Sequence, residues 1–266
     1  MKKYLILLIL IILIAILFIS GKKVDSPQGS IPFENLIVEQ EFVKFNWEIP
    51  AGQNSELANL LKILVTDFTI PTSSPLKDLI ESQVDTIISD STACFDGTLE
   101  AGRCAYESTG KIIFNDGKFL VFERYVYADG GGAHPYLSDF TYLVIDVANK
   151  KILTENDIFI GDYKAVITPL LLANFPDKEA AGDMPIEYVN QFWSQETLTE
   201  YGVYIDQVVP NGNFYLNNSG VVWTFVYYEI GPRPLGNTKI FLSWETLKTA
   251  GVLNDRFTQY AETFAE

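Results

Sequence analysis

The one histidine of the chain, His134, stands in Asp129-Gly130-Gly131-Gly132-Ala133-His134-Pro135. An imidazole beside a run of glycines can serve as a base or a recognition group, because glycine reaches φ > 0 and lets a ligand or a second backbone come close. A single histidine closes off a multi-histidine metal centre and an imidazole acid–base pair. The sequence holds no Gly-x-Ser-x-Gly, His-Glu-x-x-His or Gly-x-x-x-x-Gly-Lys motif. The triple glycine also lacks the following lysine and helix that a phosphate cradle needs. No metal and no cofactor is therefore expected. His134 reads as a structural residue at a loop mouth, its ring hydrogen-bonded to backbone, rather than as a catalytic base. The loop itself is either an awkward corner of a sheet or a recognition loop. With 34 acidic residues available, a mechanism built on carboxylates alone, as in glycosidases, stays open.

A second loop has the composition of a docking surface. Ile230-Gly231-Pro232-Arg233-Pro234-Leu235-Gly236 holds two prolines that fix φ, so the loop loses little entropy when it docks. Gly231 and Gly236 allow close backbone approach. Arg233 is a cation inside an acidic surface and would matter if it met a ligand carboxylate. The plainer reading is a stiff turn between two strands. The two cysteines, Cys94 and Cys104, lie in a loop-like segment without histidine neighbours, so they do not form a zinc site. In an oxidising compartment they would close a local disulfide loop, worth about 2–3 kcal/mol.

The compartment follows from the first residues. Met1-Lys2-Lys3 precedes an uncharged, Leu- and Ile-rich run from Tyr4 to Gly21. At about 1.5 Å per residue this run just crosses a bilayer core. No Ala-x-Ala-like cleavage site follows, and no lipoprotein cysteine stands near Ser20 or Gly21. A signal anchor with the bulk of the chain outside the cytoplasmic membrane is expected, and the cysteine pair agrees with it. Residues 1–23 hold four lysines and no acid, so the remainder carries 15 basic against 34 acidic residues, a net of −19. Such a surface repels nucleic acid and attracts cationic partners, although it also simply keeps a protein soluble.

These residues need elements to hold them. After a linker at 22–34, the stretch from Leu36 to Trp47 is extended. Asn54-Ser55 caps a helix whose apolar stripe runs from Leu57 to Phe68, and Ser74-Pro75 opens another with a stripe from Leu76 to Ile88. Asn115-Asp116-Gly117 between Tyr106–Phe114 and Phe119–Tyr127 is a hairpin signal. Phe140–Asp146 and Lys151–Thr154 form another hairpin. Asp162–Asn174 is helical and contains Pro169, Ile186–Trp193 is helical, and Gln195–Gln207 has no clear type. Asn213–Leu216 and Val221–Glu229 form a third hairpin, followed by a strand at Thr238–Leu242. Ser243 then caps a helix that Gly251 stops. Clustered strands and helices imply an α+β fold with antiparallel sheets packed with helices, preceded by a single transmembrane helix.

Two ordered blocks resemble the extracytoplasmic domain of the RsiV-type anti-sigma factors, shared with the non-catalytic N-terminal part of PdaC-type peptidoglycan deacetylases. The first is Tyr127-Ala-Asp-Gly-Gly-Gly-Ala-His-Pro135, then Asp146–Lys150 and Leu153–Phe159. The second is Asn213–Leu216, Gly220–Pro232, Gly236 and Ile240–Leu247. The resemblance is strong over about 125–250 and weaker over 35–124. It implies an N-terminal α+β region at 35–124, an RsiV-like domain at 125–255 and a tail at 256–266. It also implies a module that binds a cationic envelope protein such as a lysozyme-type muramidase, or peptidoglycan. The three residues ahead of the anchor leave no room for a sigma-binding segment, and no deacetylase domain is present, so neither activity is expected. The alternative from another class is a carboxylate-dependent cell-wall hydrolase.

Overall fold

The structure, a computed structural model, describes residues 31–40, 43–51, 55–65, 76–90, 104–130, 137–174, 204–226, 228–230 and 237–264. The chain divides into two compact units, Met1–Ser30 and Ile31–Glu266, and the described residues all belong to the second. The expected anchor at 4–21 lies outside them. Among the described residues no helix is long and apolar enough to cross a membrane.

The first sheet has six strands in chain order: β1 (Phe33–Gln40), β2 (Val43–Pro50), β3 (Cys104–Asn115), β4 (Phe119–Gly130), β5 (Leu137–Asp146) and β6 (Lys151–Leu153). The extended stretch expected over Leu36–Trp47 is two strands folded on each other, with Leu36 opposite Trp47. Its first strand begins at Phe33, inside the expected linker.

All neighbours run antiparallel except β2 and β3, which are parallel. The expected antiparallel pairing holds for every other neighbour, and the one parallel pair has a mechanical reason. A parallel pair needs a crossover that returns the chain to the starting end. Helix α1 (Ser55–Leu60), running on as a 3-10 turn at Leu61–Leu64, and helix α2 (Leu76–Asp90) lie in that connection.

A second sheet has three antiparallel strands, β7 (Phe214–Leu216), β8 (Gly220–Phe225) and β9 (Thr238–Ser243). Helix α3 (Tyr163–Ala173) runs through Pro169. Helices α4 (Trp244–Thr249) and α5 (Asp255–Glu262) close the chain. The class is α+β, as expected. The segment 256–266 was expected to be a tail, yet most of it is α5. Asn254 caps this helix by accepting from Phe257 N at 2.9 Å, and Phe257, Tyr260 and Ala261 are buried.

The long hairpin of β3 and β4 turns at Asp116, whose Oδ1 accepts from Lys118 N and Phe119 N, while Gly117 takes φ 82°. From Phe119 onward, side chains of β4 alternate between two cores. Leu120 and Phe122 join Phe45, Trp47, Leu61 and Ile80 on the face that carries α1 and α2. Phe119 and Val121 join Trp223, Phe225, Leu247 and Phe257 on the other face. The boundary expected at 124/125 therefore falls inside a strand that serves both cores. Gly110 of β3 is fixed by the first core. A Cβ there would stand 2.3 Å from Phe122 Cζ and 2.8 Å from Trp47 Cγ, where the two rings meet.

Candidate functional site

The two loops singled out above leave well-defined strand ends. Gly130 closes β4 opposite Cys104, and β5 resumes at Leu137, opposite Ala128. Gly131, Gly132, His134 and Pro135 lie outside the described residues. So do Gly231, Pro232, Arg233, Pro234, Gly236 and Cys94, as well as the helix expected at Ile186–Trp193. Before the second loop, Tyr228 has φ 65°, a left-handed conformation rare for a residue with a side chain. Tyr228 is exposed, and Ile230 two residues on is buried. This reversal throws one ring outward and anchors the next apolar side chain inward. Glu229 between them holds the turn, its Oε2 accepting from Val226 N at 2.9 Å.

A chain of side-chain hydrogen bonds joins Glu229 to the middle of β5. Glu229 Oε1 accepts from Asn211 Nδ2 at 2.7 Å, and the same nitrogen donates to Thr224 O at 3.0 Å. Asn211 Oδ1 accepts from Asn213 N at 3.0 Å. Asn213 Nδ2 then donates to Phe140 O at 2.9 Å, and its Oδ1 accepts from Tyr142 N at 3.2 Å. At this level β6 no longer pairs with β5, since the β5–β6 register covers only Val144–Asp146. Asn213 thus acts as a one-residue strand, filling the open edge of β5 and tying the second sheet to the first. In Asp139 of β5, burial raises the carboxyl above the ordinary range, and the negative charge of Glu229 adds to the rise.

Between the sheets lies a polar cluster. Glu123 of β4 is buried and accepts from Tyr142 Oη at 3.0 Å. It pairs with Lys111 Nζ at 2.9 Å and, more loosely, with Lys239 Nζ at 3.9 Å. The Lys239 ammonium lies over the rings of Phe140, Tyr142 and Tyr215, at 5.2, 5.5 and 5.7 Å from their centroids. Burial lowers its pKa, with Glu123 pulling the other way, and burial beside Glu123 raises that of Tyr142. The cage is filled by the chain's own lysine, so it works as a joint between the sheets.

The other buried acids are joints as well. Glu155 accepts from Trp223 Nε1 at 2.9 Å, Gly212 N at 3.0 Å and Tyr163 Oη at 3.1 Å. Burial and the adjoining Glu155 push the Tyr163 hydroxyl up to about 12. Thr154 and Asp157 form a capping box around the short turn that holds Glu155. Asp146 accepts from Asn149 Nδ2 at 2.7 Å and pairs with Arg256. Burial would raise its pKa, but the hydrogen bonds from Arg256 and Asn149 prevail and hold it below the ordinary carboxylate range. Each of the three buried acids among the described residues thus has its acceptor capacity engaged by neighbouring donors. Among those residues there is also no group of three or more His, Cys, Asp or Glu placed to hold a metal.

Sequence reasoning does not single out Asn211, and Glu123 and Lys239 enter it only inside the strand runs Phe119–Tyr127 and Thr238–Leu242. Asn213, Glu155, Asp157 and Glu229 entered it only as members of motifs. Their common role is a physical one: they are the polar joints between elements far apart in sequence.

Residues 156–245 match the family model DUF3298, described as "Protein of unknown function (DUF3298)". No curated protein matches the sequence. The fold is similar to the crystal structure of a member of the DUF3298 family from Bacteroides fragilis, with a TM-score of 0.63 and 18% identity over 88% of this chain and 99% of that one. It is also similar to a DUF3298 family protein from Pseudomonas aeruginosa, with a TM-score of 0.53 and 15% identity over 88% of this chain and 97% of that one. At such identities the likeness is one of fold. The finer RsiV-type and PdaC-type assignment rests on the sequence resemblance alone.

Proposed function

We propose that this chain is a membrane-anchored extracytoplasmic binding module whose ligand is a cationic envelope protein, with lysozyme-type muramidases as the first candidate and peptidoglycan as the second. The single observation that carries the reading is the amide chain from Glu229 through Asn211 and Asn213 to Phe140 and Tyr142. It ties Glu229, just ahead of the second candidate loop, to β5, the strand that follows the first, and this supports reading the two loops as parts of one recognition surface. The charge of the chain, −15 overall, favours a basic partner and would raise its association rate more than its final affinity.

Three further parts belong to the proposal. Residues 4–21 anchor the chain in the cytoplasmic membrane. The bulk of the chain lies on the outer side. Cys94 and Cys104 are joined, a reading supported by Cys104 not standing as a free thiol. Binding is preferred to hydrolysis because the buried acids among the described residues already serve as acceptors for neighbouring donors, whereas a glycosidase pair needs two carboxyls facing a substrate.

The test is calorimetric titration of the protein with a basic lysozyme at low and moderate salt. Wild type should bind, and more weakly as salt rises. Pro232→Ala with Pro234→Ala, and separately Arg233→Glu, should weaken binding without changing the circular dichroism spectrum. No binding at low salt overturns the lysozyme reading, and equal binding by the loop variants overturns the site. Release of soluble fragments from peptidoglycan by the purified protein would favour the hydrolase instead.

A further inference from the structure

Among the described residues, strand β1 is the outer strand of the six-stranded sheet and pairs on one side only. It is eight residues long, Phe33-Glu-Asn-Leu-Ile-Val-Glu-Gln40, and its register with β2 has no bulge. It contains no proline and no lysine, two usual means of blunting a free edge, and its charges are Glu34 and Glu39. The opposite edge of the sheet, β6, has only three residues. Ile37 is 57% exposed and Phe33 43% exposed, both on the face turned away from Leu36 and Val38.

The direction of its free backbone groups can be worked out. Pro32 O accepts from Ala51 N at 3.0 Å, which makes residues 32 and 51 a hydrogen-bonded pair. Alternation along the ladder then turns the N–H and C=O of Glu34, Leu36, Val38 and Gln40 towards β2. Those of Phe33, Asn35, Ile37 and Glu39 point outward.

We propose that β1 pairs with β1 of a second copy of this chain, antiparallel and about a two-fold axis through Ile37, joining two six-stranded sheets into one. The sequence is self-complementary in that register. Ile37 lies against Ile37 of the second copy, and Leu36 against Val38. Asn35 lies against Glu39, and Glu34 against Gln40. Every apolar residue in this core meets an apolar one, and no two acids stand opposite each other, although both copies are acidic. The outward-facing residues Asn35, Ile37 and Glu39 supply the hydrogen bonds of the new ladder. A shift of one residue would set outward-pointing backbone groups against inward-pointing ones, and the next registers that keep the ladder, two residues away, set Ile37 against Asn35 or Glu39 and lose the match. An isologous contact of this kind closes at two copies, so it yields a dimer and not a fibre. The inference is independent of the ligand reading, and salt separates the two. Two chains of the same charge should associate more readily as salt screens them, whereas a basic partner should bind less well.

The test uses the full-length protein in detergent. Sedimentation of wild type should show a monomer–dimer equilibrium that shifts towards dimer from low to moderate salt. Ile37→Lys places two ammonium groups together on the axis and should yield monomer with an unchanged circular dichroism spectrum. Oxidation of Ile37→Cys should trap a covalent dimer, because the paired Cα atoms would be about 5.5 Å apart, within disulfide reach. Asn35→Cys should not, because its two copies would lie about 13 Å apart along the strands. Oxidised wild type gives the background from Cys94 and Cys104. A wild type that stays monomeric at all salts overturns the proposal, as it would if β1 takes a strand from another protein. Equal trapping at positions 35 and 37 overturns the register, and a dimer that survives Ile37→Lys overturns the surface.

Discussion

Replacing Glu155 tests whether the buried acids are joints. The carboxylate is 6% exposed and accepts three hydrogen bonds, from Trp223 Nε1, Gly212 N and Tyr163 Oη. In Glu155→Ala the indole and the Gly212 amide lose their acceptor inside the protein, at about 1–3 kcal/mol each. The Tyr163 hydroxyl can rotate and recover part of its loss. The sum is about 3–5 kcal/mol, a large share of the stability of an ordinary domain. Glu155→Gln should be far milder. Its carbonyl oxygen can keep the two bonds now made by Oε1, and its amide can donate to the Tyr163 oxygen. Only the charge assistance is lost, about 1 kcal/mol. Urea denaturation followed by tryptophan fluorescence would measure both, because Trp223 lies at the joint. The Tyr163 hydroxyl should also titrate lower in both variants, since the adjoining negative charge is gone. The reasoning fails if Glu155→Ala stays within about 1 kcal/mol of wild type, or if Glu155→Gln is as damaging as Glu155→Ala.

Three more outcomes are expected. The pKa of Asp146 is held down in the folded protein, so its contribution to stability is full above its unfolded value, about 3.9, and is lost as pH falls through the folded value. Acid titration of Asp146→Asn should therefore show a shallower loss of stability below about pH 4 than wild type. Gly220→Ala should break the start of the β8–β9 ladder, because a Cβ there would stand 2.1 Å from Leu242 O, and backbone cannot step aside as a side chain can. A cost of about 3 kcal/mol or more in chemical denaturation is expected, and a loss under about 1 kcal/mol would contradict the geometry. Non-reducing peptide mapping of protein from the envelope should find Cys94 joined to Cys104, and two thiols that alkylate freely would count against both the bond and the compartment.

Local signals in the sequence were read well, because local chemistry determines the structure at those points. Asn115-Asp116-Gly117 forms the turn of the β3–β4 hairpin, and Gly117 has the positive φ that its place demands. Ser243 caps α4 by accepting from Thr246 N at 3.1 Å, and Gly251 follows with φ 68°. What stayed hidden is non-local. Nothing in residues 43–50 or 104–115 says that these strands run parallel, since that depends on how the intervening helices cross. Helix α5 was overlooked because it is short and mostly polar, although Asn254 followed by Phe257, Tyr260 and Ala261 carried a cap and an apolar spacing. The site was legible only as loops. That Glu123, Asp146 and Glu155 are the buried acids among the described residues cannot be told from a chain with 34 of them, because burial is settled by partners as distant in sequence as Glu123 and Lys239.

The two-sided burial of β4 also bears on how the molecule breathes. Freeing this strand from either core strips one face of Phe119–Phe122 while leaving the other packed, so neither half can open without straining its neighbour. The amides of Leu120, Val121 and Phe122 should then be among the slowest to exchange with deuterated water, opening only when the whole unit unfolds. Their exchange rates would report global stability directly. Any ligand that favours the folded unit would register there as a uniform slowing, without touching a single one of those residues.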